Sequence, residues 1–325
     1  MKFLKTALIL AAMTAMVTLS GCTACNNLKG TTTSSVPPVT SSVPPATSSA
    51  PAITSSEGSV LPSEPKTSSS TPSPSGTMVP TLSTDFSEIG ALDGKQVTWG
   101  PGRQKDEVNR PTACLQLQKK YGKYNAYFIG SEKGKLYLTF DEGYENGYTS
   151  KILDVLKDKK VPAVFFVTMH YVKTNPELIQ RMIDEGHVVG NHSDKHPNFT
   201  TLPLDAAQTD IMNLHNYMKD NYNYNMSLFR YPEGAFSEQT LALVNKIGYK
   251  QLFWSFAYND WNPDKQPPVE DATNRMVDAA HDGAIYLLHA VSSANTAALP
   301  KAIDTLRNQG YEFVLFNEDS PTTIS

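Results

Sequence analysis

The chain has 325 residues, and Lys+Arg 28 against Asp+Glu 32 leaves a formal net charge of -4. That balance offers no basic face, so a nucleic-acid partner is not expected. Three cysteines, Cys22, Cys25 and Cys114, are too few for a disulfide framework.

The N-terminus reads as an export signal, with Lys2 and Lys5 ahead of an apolar run from Ala7 to Leu19 that is short for a membrane span. The run ends in Leu19-Ser20-Gly21-Cys22, which resembles a bacterial lipoprotein box and implies a lipid on Cys22. Residues 1–22 are therefore read as a lipoprotein signal and box. The expected address is extracytoplasmic, lipid-anchored to the bacterial cell membrane and facing the cell wall. Plain signal cleavage, giving a secreted protein, is the alternative. Residues 23–84 are Ser, Thr and Pro with few large apolar side chains, and repeat Ser-Ser-Val-Pro-Pro at Ser34–Pro38 and Ser41–Pro45. Such a stretch cannot bury a core and is expected to act as an extended, disordered spacer. Residues 85–134, with a turn at Trp99-Gly100-Pro101-Gly102 and a short helix near Leu115–Tyr121, are read as an N-terminal extension of a catalytic domain at 135–320.

From Lys135 onward the pattern is regular. Apolar, β-branched or aromatic runs at Leu136–Phe140, Ala163–Thr168, His187–Gly190, Leu228–Arg230, Gln251–Ser255, Ala284–Leu288 and Glu312–Phe316 predict seven strands. Amphipathic stretches between them predict helices, several followed by a glycine suited to a left-handed C-cap, at Gly186, Gly248 and Gly310. Strands alternating with helices predict an α/β fold with a parallel sheet, here a partial barrel one strand short of eight.

The first of these strands ends on adjacent carboxylates, Asp141-Glu142-Gly143, where α/β folds build their sites. Two histidines follow at i and i+4, His192 and His196, a spacing that lets one helical turn present both to a metal. Each signal has a plainer explanation: an acid pair at a strand end also suits a solvated turn, and the histidine spacing arises by chance. Their joint occurrence on neighbouring βα units favours a site.

Thr139-Phe140-Asp141-Glu142-Gly143 resembles the first motif, TFDDG, of the polysaccharide deacetylases (NodB-homology, carbohydrate esterase family 4), and His192 to Pro197 is similar to their second motif, HSxxHP. Arg230-Tyr231-Pro232-Glu233-Gly234 is similar to the third, RxPxG. Ser255 to Trp261 resembles the fourth, DxxDW, with Ala257 replacing its first aspartate, and Leu287-Leu288-His289 matches the fifth. The resemblance covers about Lys135 to Phe316 and implies an irregular (β/α)7 barrel.

It also implies roles. Asp141 would be the general base, and Arg230 would keep it ionised. Glu142, His192 and His196 would bind a divalent metal, Zn2+ or another transition metal, with Glu142 one methylene longer than the family's aspartate. The backbone N–H of Glu233 would hold the oxyanion, with Tyr231 beside it. Trp261 and Leu287 would line the acetyl pocket. His289, tuned by Asp260, would protonate the leaving amine. His170, His187, His215 and His281 match no motif and are read as structural or exposed.

The implied activity is metal-dependent removal of N-acetyl groups from peptidoglycan by a monomeric enzyme. Local sequence around Asp141 and Asp260 looks most like the branch that deacetylates N-acetylmuramic acid on the way to a δ-lactam. Deacetylation of N-acetylglucosamine or chitin, O-acetyl ester hydrolysis, and non-catalytic glycan binding remain the alternatives.

Overall fold

A computed structural model describes residues 80–317 and 319–320. Cys22, Cys25 and most of the Ser/Thr/Pro stretch lie outside the described residues. No helix among the described residues is long and apolar enough to cross a membrane.

The strands are β1 (Val97–Thr98), β2 (Ala126–Tyr127), β3 (Lys135–Glu142), β4 (Val164–Val167), β5 (Val188–Asn191), β6 (Leu228–Phe229), β7 (Ala235–Phe236), β8 (Lys250–Leu252), β9 (Ala284–His289) and β10 (Glu312–Phe313). The helices are α1 (Ser87–Gly90), α2 (Thr112–Tyr121), α3 (Thr149–Lys159), α4 (Met169–Thr174), α5 (Pro176–Asp184), α6 (Leu204–Tyr222), α7 (Glu238–Ile247), α8 (Val269–Asp278) and α9 (Ser293–Asn308). The main sheet runs β10-β3-β4-β5-β6-β8-β2, with β9 paired to β3, and every pairing in it is parallel. This is the curled sheet of the irregular (β/α)7 barrel. Each of the seven expected strands is present, though β6, β8 and β10 are shorter than their apolar runs. An eighth short strand, β2, comes from the segment before Lys135 and lies against β8. β1 and β7 form a separate antiparallel pair.

β3 is buried along most of its length because strands flank it on both edges and helices cover the sheet, which is why it reads as a nearly unbroken apolar run. Barrel curvature forces two close approaches. A Cβ on Gly190 of β5 would lie 2.5 Å from the Phe166 ring, and one on Gly283 would lie 2.1 Å from the carbonyl oxygen of Gly130. Gly130 N–H donates to Gly283 O at 2.8 Å, tying the end of the β2 segment to the start of β9. Helix ends follow local chemistry: Ser237 and Thr240 form a capping box on α7, and Gly186, Gly248 and Gly310 all sit at positive φ just after a helix. The C-terminal ends of β3, β5, β6 and β9 thus deliver Asp141, His192, Arg230 and His289 to one end of the barrel.

Candidate active site

Asp141, next to last in β3, lies directly opposite His289 of β9 in the strand register. Arg230, just past β6, donates from Nη1 to Asp141 Oδ1 at 2.7 Å. The rest of its guanidinium is fixed by Nε to the carbonyl of Leu252 (2.8 Å) and Nη2 to that of Phe253 (3.0 Å), and it stacks over Phe166 at 4.2 Å. Burial alone would raise the Asp141 pKa, but the Arg230 charge and hydrogen bond, with the charges of His192 and His289, together hold the carboxyl below its ordinary value. His192 is buried, which lowers its pKa to about 4 and leaves it neutral. Its Nδ1 lies 2.9 Å from the carbonyl of Arg230, and a carbonyl only accepts, so Nδ1 carries the proton. The bare Nε2 then faces Asp141 Oδ2 at 3.6 Å. Two acceptors facing each other at that spacing suit one water donating to both.

The opposite wall holds the second couple. Asp260 is fully buried, and its Oδ1 accepts from His289 Nδ1 at 2.7 Å while Oδ2 accepts the His289 backbone N–H at 2.9 Å. Asn295 of α9 donates a further bond to Oδ2 and is held through its own Oδ1 by the Tyr258 hydroxyl. Burial would depress the His289 pKa, but the Asp260 bond and charge override it and raise the value, so the imidazolium is favoured with Nε2 left to donate.

The second motif is not a helical turn. Ser193 and His196 both have positive φ, 81° and 54°, in an irregular loop that still brings the His192 and His196 rings to 4.9 Å in an edge-to-face contact. Side chains hold this loop from behind. Asn191 Oδ1 accepts from Ser193 N–H (2.8 Å) and Ser193 Oγ from His196 N–H (2.8 Å). Asp210 of α6 accepts Asp194 N–H on one oxygen (2.9 Å) and Lys195 N–H on the other (3.2 Å).

Two cavity lobes, about 600 and 650 Å³, share Asp141, His192, His196, Trp261 and His289 at their junction. The first continues past Tyr144, His170, Asp194 and Lys195, the second past Trp99's neighbour Gly100, Tyr231, Glu233, Tyr258 and Leu287. Trp261 is 55% exposed and Tyr144 47%, so both present aromatic faces at the rim. Leu287 closes the second lobe from below. Glu233 borders it with a left-handed backbone, φ 56° and ψ 6°, a costly conformation outside glycine that gathers at functional loops. Tyr231 shows the cavity little: it is 1% exposed, and its hydroxyl donates inward to Gln251 Oε1 at 2.8 Å. Its place is therefore in the wall, not in contact with an oxyanion.

Glu142 departs from its expected role. Successive strand side chains point to opposite faces, so the residue after Asp141 turns away from the cavity. Glu142 is 1% exposed, does not line either lobe, and has no hydrogen-bond partner on either carboxylate oxygen. Burial, then the charges of Glu145 and Asp141, push its pKa well up. Among the described residues no group of three His, Cys, Asp or Glu side chains is arranged to hold a metal ion. The histidine pair faces the cavity, but the three-ligand set implied by resemblance does not fit this arrangement.

Sequence reasoning missed Asp210 and Asn295, which lie in helices outside every motif and act through hydrogen bonds that the fold creates. It also set aside His170, which the fold puts in the cavity lining. His187, His215 and His281 are buried and neutral, each with its pKa lowered by burial to about 4.

Residues 129–252 match the family described as polysaccharide deacetylase. Over 237 residues the chain is 45% identical to the peptidoglycan-N-acetylmuramic acid deacetylase PdaA of Bacillus subtilis, covering 71% of this chain and 89% of PdaA. It is 34% identical over 250 residues to the peptidoglycan-N-acetylglucosamine deacetylase PgdA of Listeria monocytogenes, covering 74% of this chain and 52% of that one. The solved structure of Bacillus subtilis PdaA, a family 4 carbohydrate esterase, matches with TM-score 0.64 and 42% identity over 68% of this chain and 94% of that one. A family 4 carbohydrate esterase from Bacillus anthracis matches with TM-score 0.57 and 41% identity over 69% and 96%. The chain belongs to the polysaccharide deacetylase family, and it is a hydrolase of that kind.

Proposed function

We propose that this polysaccharide deacetylase removes N-acetyl groups from the amino sugars of peptidoglycan, with N-acetylmuramic acid as its preferred residue. The observation that carries the reading is a pair of titratable groups pushed in opposite directions across one cavity. Asp141 is held below its ordinary pKa and His289 above it, which widens the pH range in which the base is ionised and the acid protonated together. A water donating to Asp141 Oδ2 and His192 Nε2 attacks the acetyl carbonyl as Asp141 takes its proton. Charge on the carbonyl oxygen meets the backbone N–H of Glu233. His289 gives its proton to the sugar nitrogen as the C–N bond breaks, releasing acetate and a free amine. In a muramic acid residue that amine lies beside the lactyl carboxyl, so δ-lactam closure can follow.

Identity of 45% with PdaA, over most of both chains, supports the muramic acid residue. The N-terminal sequence supports the address: a lipid on Cys22 and a Ser/Thr/Pro tether would hold a monomeric catalytic domain against the wall. The test is acetate release by the full chain from intact peptidoglycan, peptidoglycan stripped of stem peptides by an amidase, and chitin oligomers. Release confined to the stripped polymer is the expected result. Release from chitin or intact wall instead shifts the substrate to N-acetylglucosamine, and an intact fold with no release on any of the three overturns deacetylation of these polymers.

A further inference from the structure

Muramic acid differs from glucosamine by one group, a lactyl ether on C3 that ends in a carboxylate once the stem peptide is gone. The acetamide sits on the adjacent carbon, C2. A residue that reads the difference therefore has to sit beside the catalytic couple, and a cation there would pair with the carboxylate.

Among the described residues Lys195 is the one Lys or Arg that lines either cavity lobe. It immediately precedes His196, which lies at the junction of the lobes. Arg230 is fully buried, lines neither lobe and is committed to Asp141, Leu252 and Phe253. Lys195 has no ion-pair partner among the described residues, and its side chain is exposed. Its backbone is fixed all the same: Lys195 N–H and Asp194 N–H share the carboxylate of Asp210, between the left-handed residues Ser193 and His196. Two acids lie nearby, and Asp210 feels the Lys195 charge. Asp194 accepts from Asn213 Nδ2 at 2.9 Å, and Asp210 is occupied by the two backbone N–H groups. The second lobe carries Glu233 and no cation, which disfavours an anionic substituent there.

We propose that Lys195 selects muramic acid residues by pairing with the free lactyl carboxylate, which places the C3 substituent in the first lobe while the acetamide lies between Asp141 and His289. The proposal rests on the peptidoglycan reading above. It also accounts for a preference for stripped glycan, because a lactyl group amide-linked to a stem peptide has no charge to pair.

The experiment compares the full chain with Lys195→Gln and Lys195→Arg on amidase-stripped peptidoglycan, intact peptidoglycan and N-acetylglucosamine oligomers. On stripped glycan Lys195→Gln should raise KM about fivefold to tenfold with kcat little changed, the effect of losing one partly solvated charge pair. Lys195→Arg should recover most of the loss. Neutral oligomers, on which the wild type is expected to release no acetate, set the background for all three proteins. An unchanged KM for Lys195→Gln on stripped glycan, with the wild type active there, overturns the role of Lys195 alone. A fall in kcat as large as the rise in KM, not recovered by Lys195→Arg, also overturns it, since the residue would then serve the loop and not selection. Wild-type release confined to chitin oligomers overturns the muramic acid reading and this proposal with it.

Discussion

Arg230 Nη1 lies 2.7 Å from Asp141 Oδ1, and the same guanidinium is tied to the backbone carbonyls of Leu252, at the end of β8, and Phe253 just after it. One side chain thus sets the charge of the base and its position relative to three strands. Removing one partner of a buried pair leaves the other uncompensated and costs about 3–5 kcal/mol. Arg230→Lys should keep the charge but lose the fork, and kcat should fall about 100-fold. The acid limb of the pH–rate profile should move to higher pH, because Asp141 without the Arg230 hydrogen bond protonates more readily. An unmoved acid limb would show that Asp141 is not the titrating base.

The couple on the other wall predicts the other limb. Asp260 raises the His289 pKa against the effect of burial, so a general acid with this history stays protonated further into the alkaline range. Asp260→Asn should move the alkaline limb to lower pH and reduce kcat about tenfold to 100-fold. Asn295→Ala, which removes one donor from the same carboxylate, should move that limb much less. Stability follows the same sign: the His289 contribution is present below the unfolded pKa and lost as pH rises through the raised folded one.

What could be read in advance, and what could not, divides along contact distance. The seven apolar runs from Leu136 to Phe316 all form strands, because burial on both faces forces near-continuous apolar composition. Asp141, His192, Arg230 and His289 are legible because each sits at or just past a strand end, where chain order alone fixes the place. The shortening of β6 to two residues was not legible, since barrel curvature ends the pairing before the apolar run stops. Asp210 and Asn295 reach the site from α6 and α9 through side-chain bonds that no local spacing encodes. Motif position put Glu142 in the cavity, whereas strand alternation turns it away from both lobes.

Asp210 makes a prediction of its own. Two backbone N–H groups of the histidine loop share its carboxylate, and Ser193 and His196 on either side are in the left-handed region. Asp210→Ala should leave both donors unsatisfied and lower stability by about 1–3 kcal/mol. The loop should relax and carry His196 out of place, lowering kcat well beyond what the stability loss accounts for at 25 °C. Asp210→Asn keeps an acceptor for one donor and should fall between. Thermal unfolding and kcat measured on the same preparations check this; a kcat equal to wild type in Asp210→Ala would show that the loop holds itself.

Glu142 carries the last prediction, and its sign can be worked through. The carboxyl is buried, without a hydrogen bond, and close enough to Glu145 and Asp141 to feel both charges. Its folded pKa is therefore above the unfolded value, so its contribution is fully present below the ordinary glutamate pKa and lost as pH rises through the folded one. Raising the pH from about 5 to about 8 should cost the wild type stability at this position, because an uncompensated buried charge is then demanded. Glu142→Gln removes the ionisation at nearly constant shape. Its Tm should exceed that of the wild type at pH 8 by roughly 3 °C or more, given about 2–4 °C per kcal/mol for a domain of this size, and the difference should shrink toward pH 5. The same variant separates the two accounts of this residue. If Glu142 faces away from His192 and His196, zinc uptake by the full chain, measured by calorimetry, should match between Glu142→Gln and wild type. A variant that loses both the zinc and the Tm gain would return Glu142 to the cavity as a ligand.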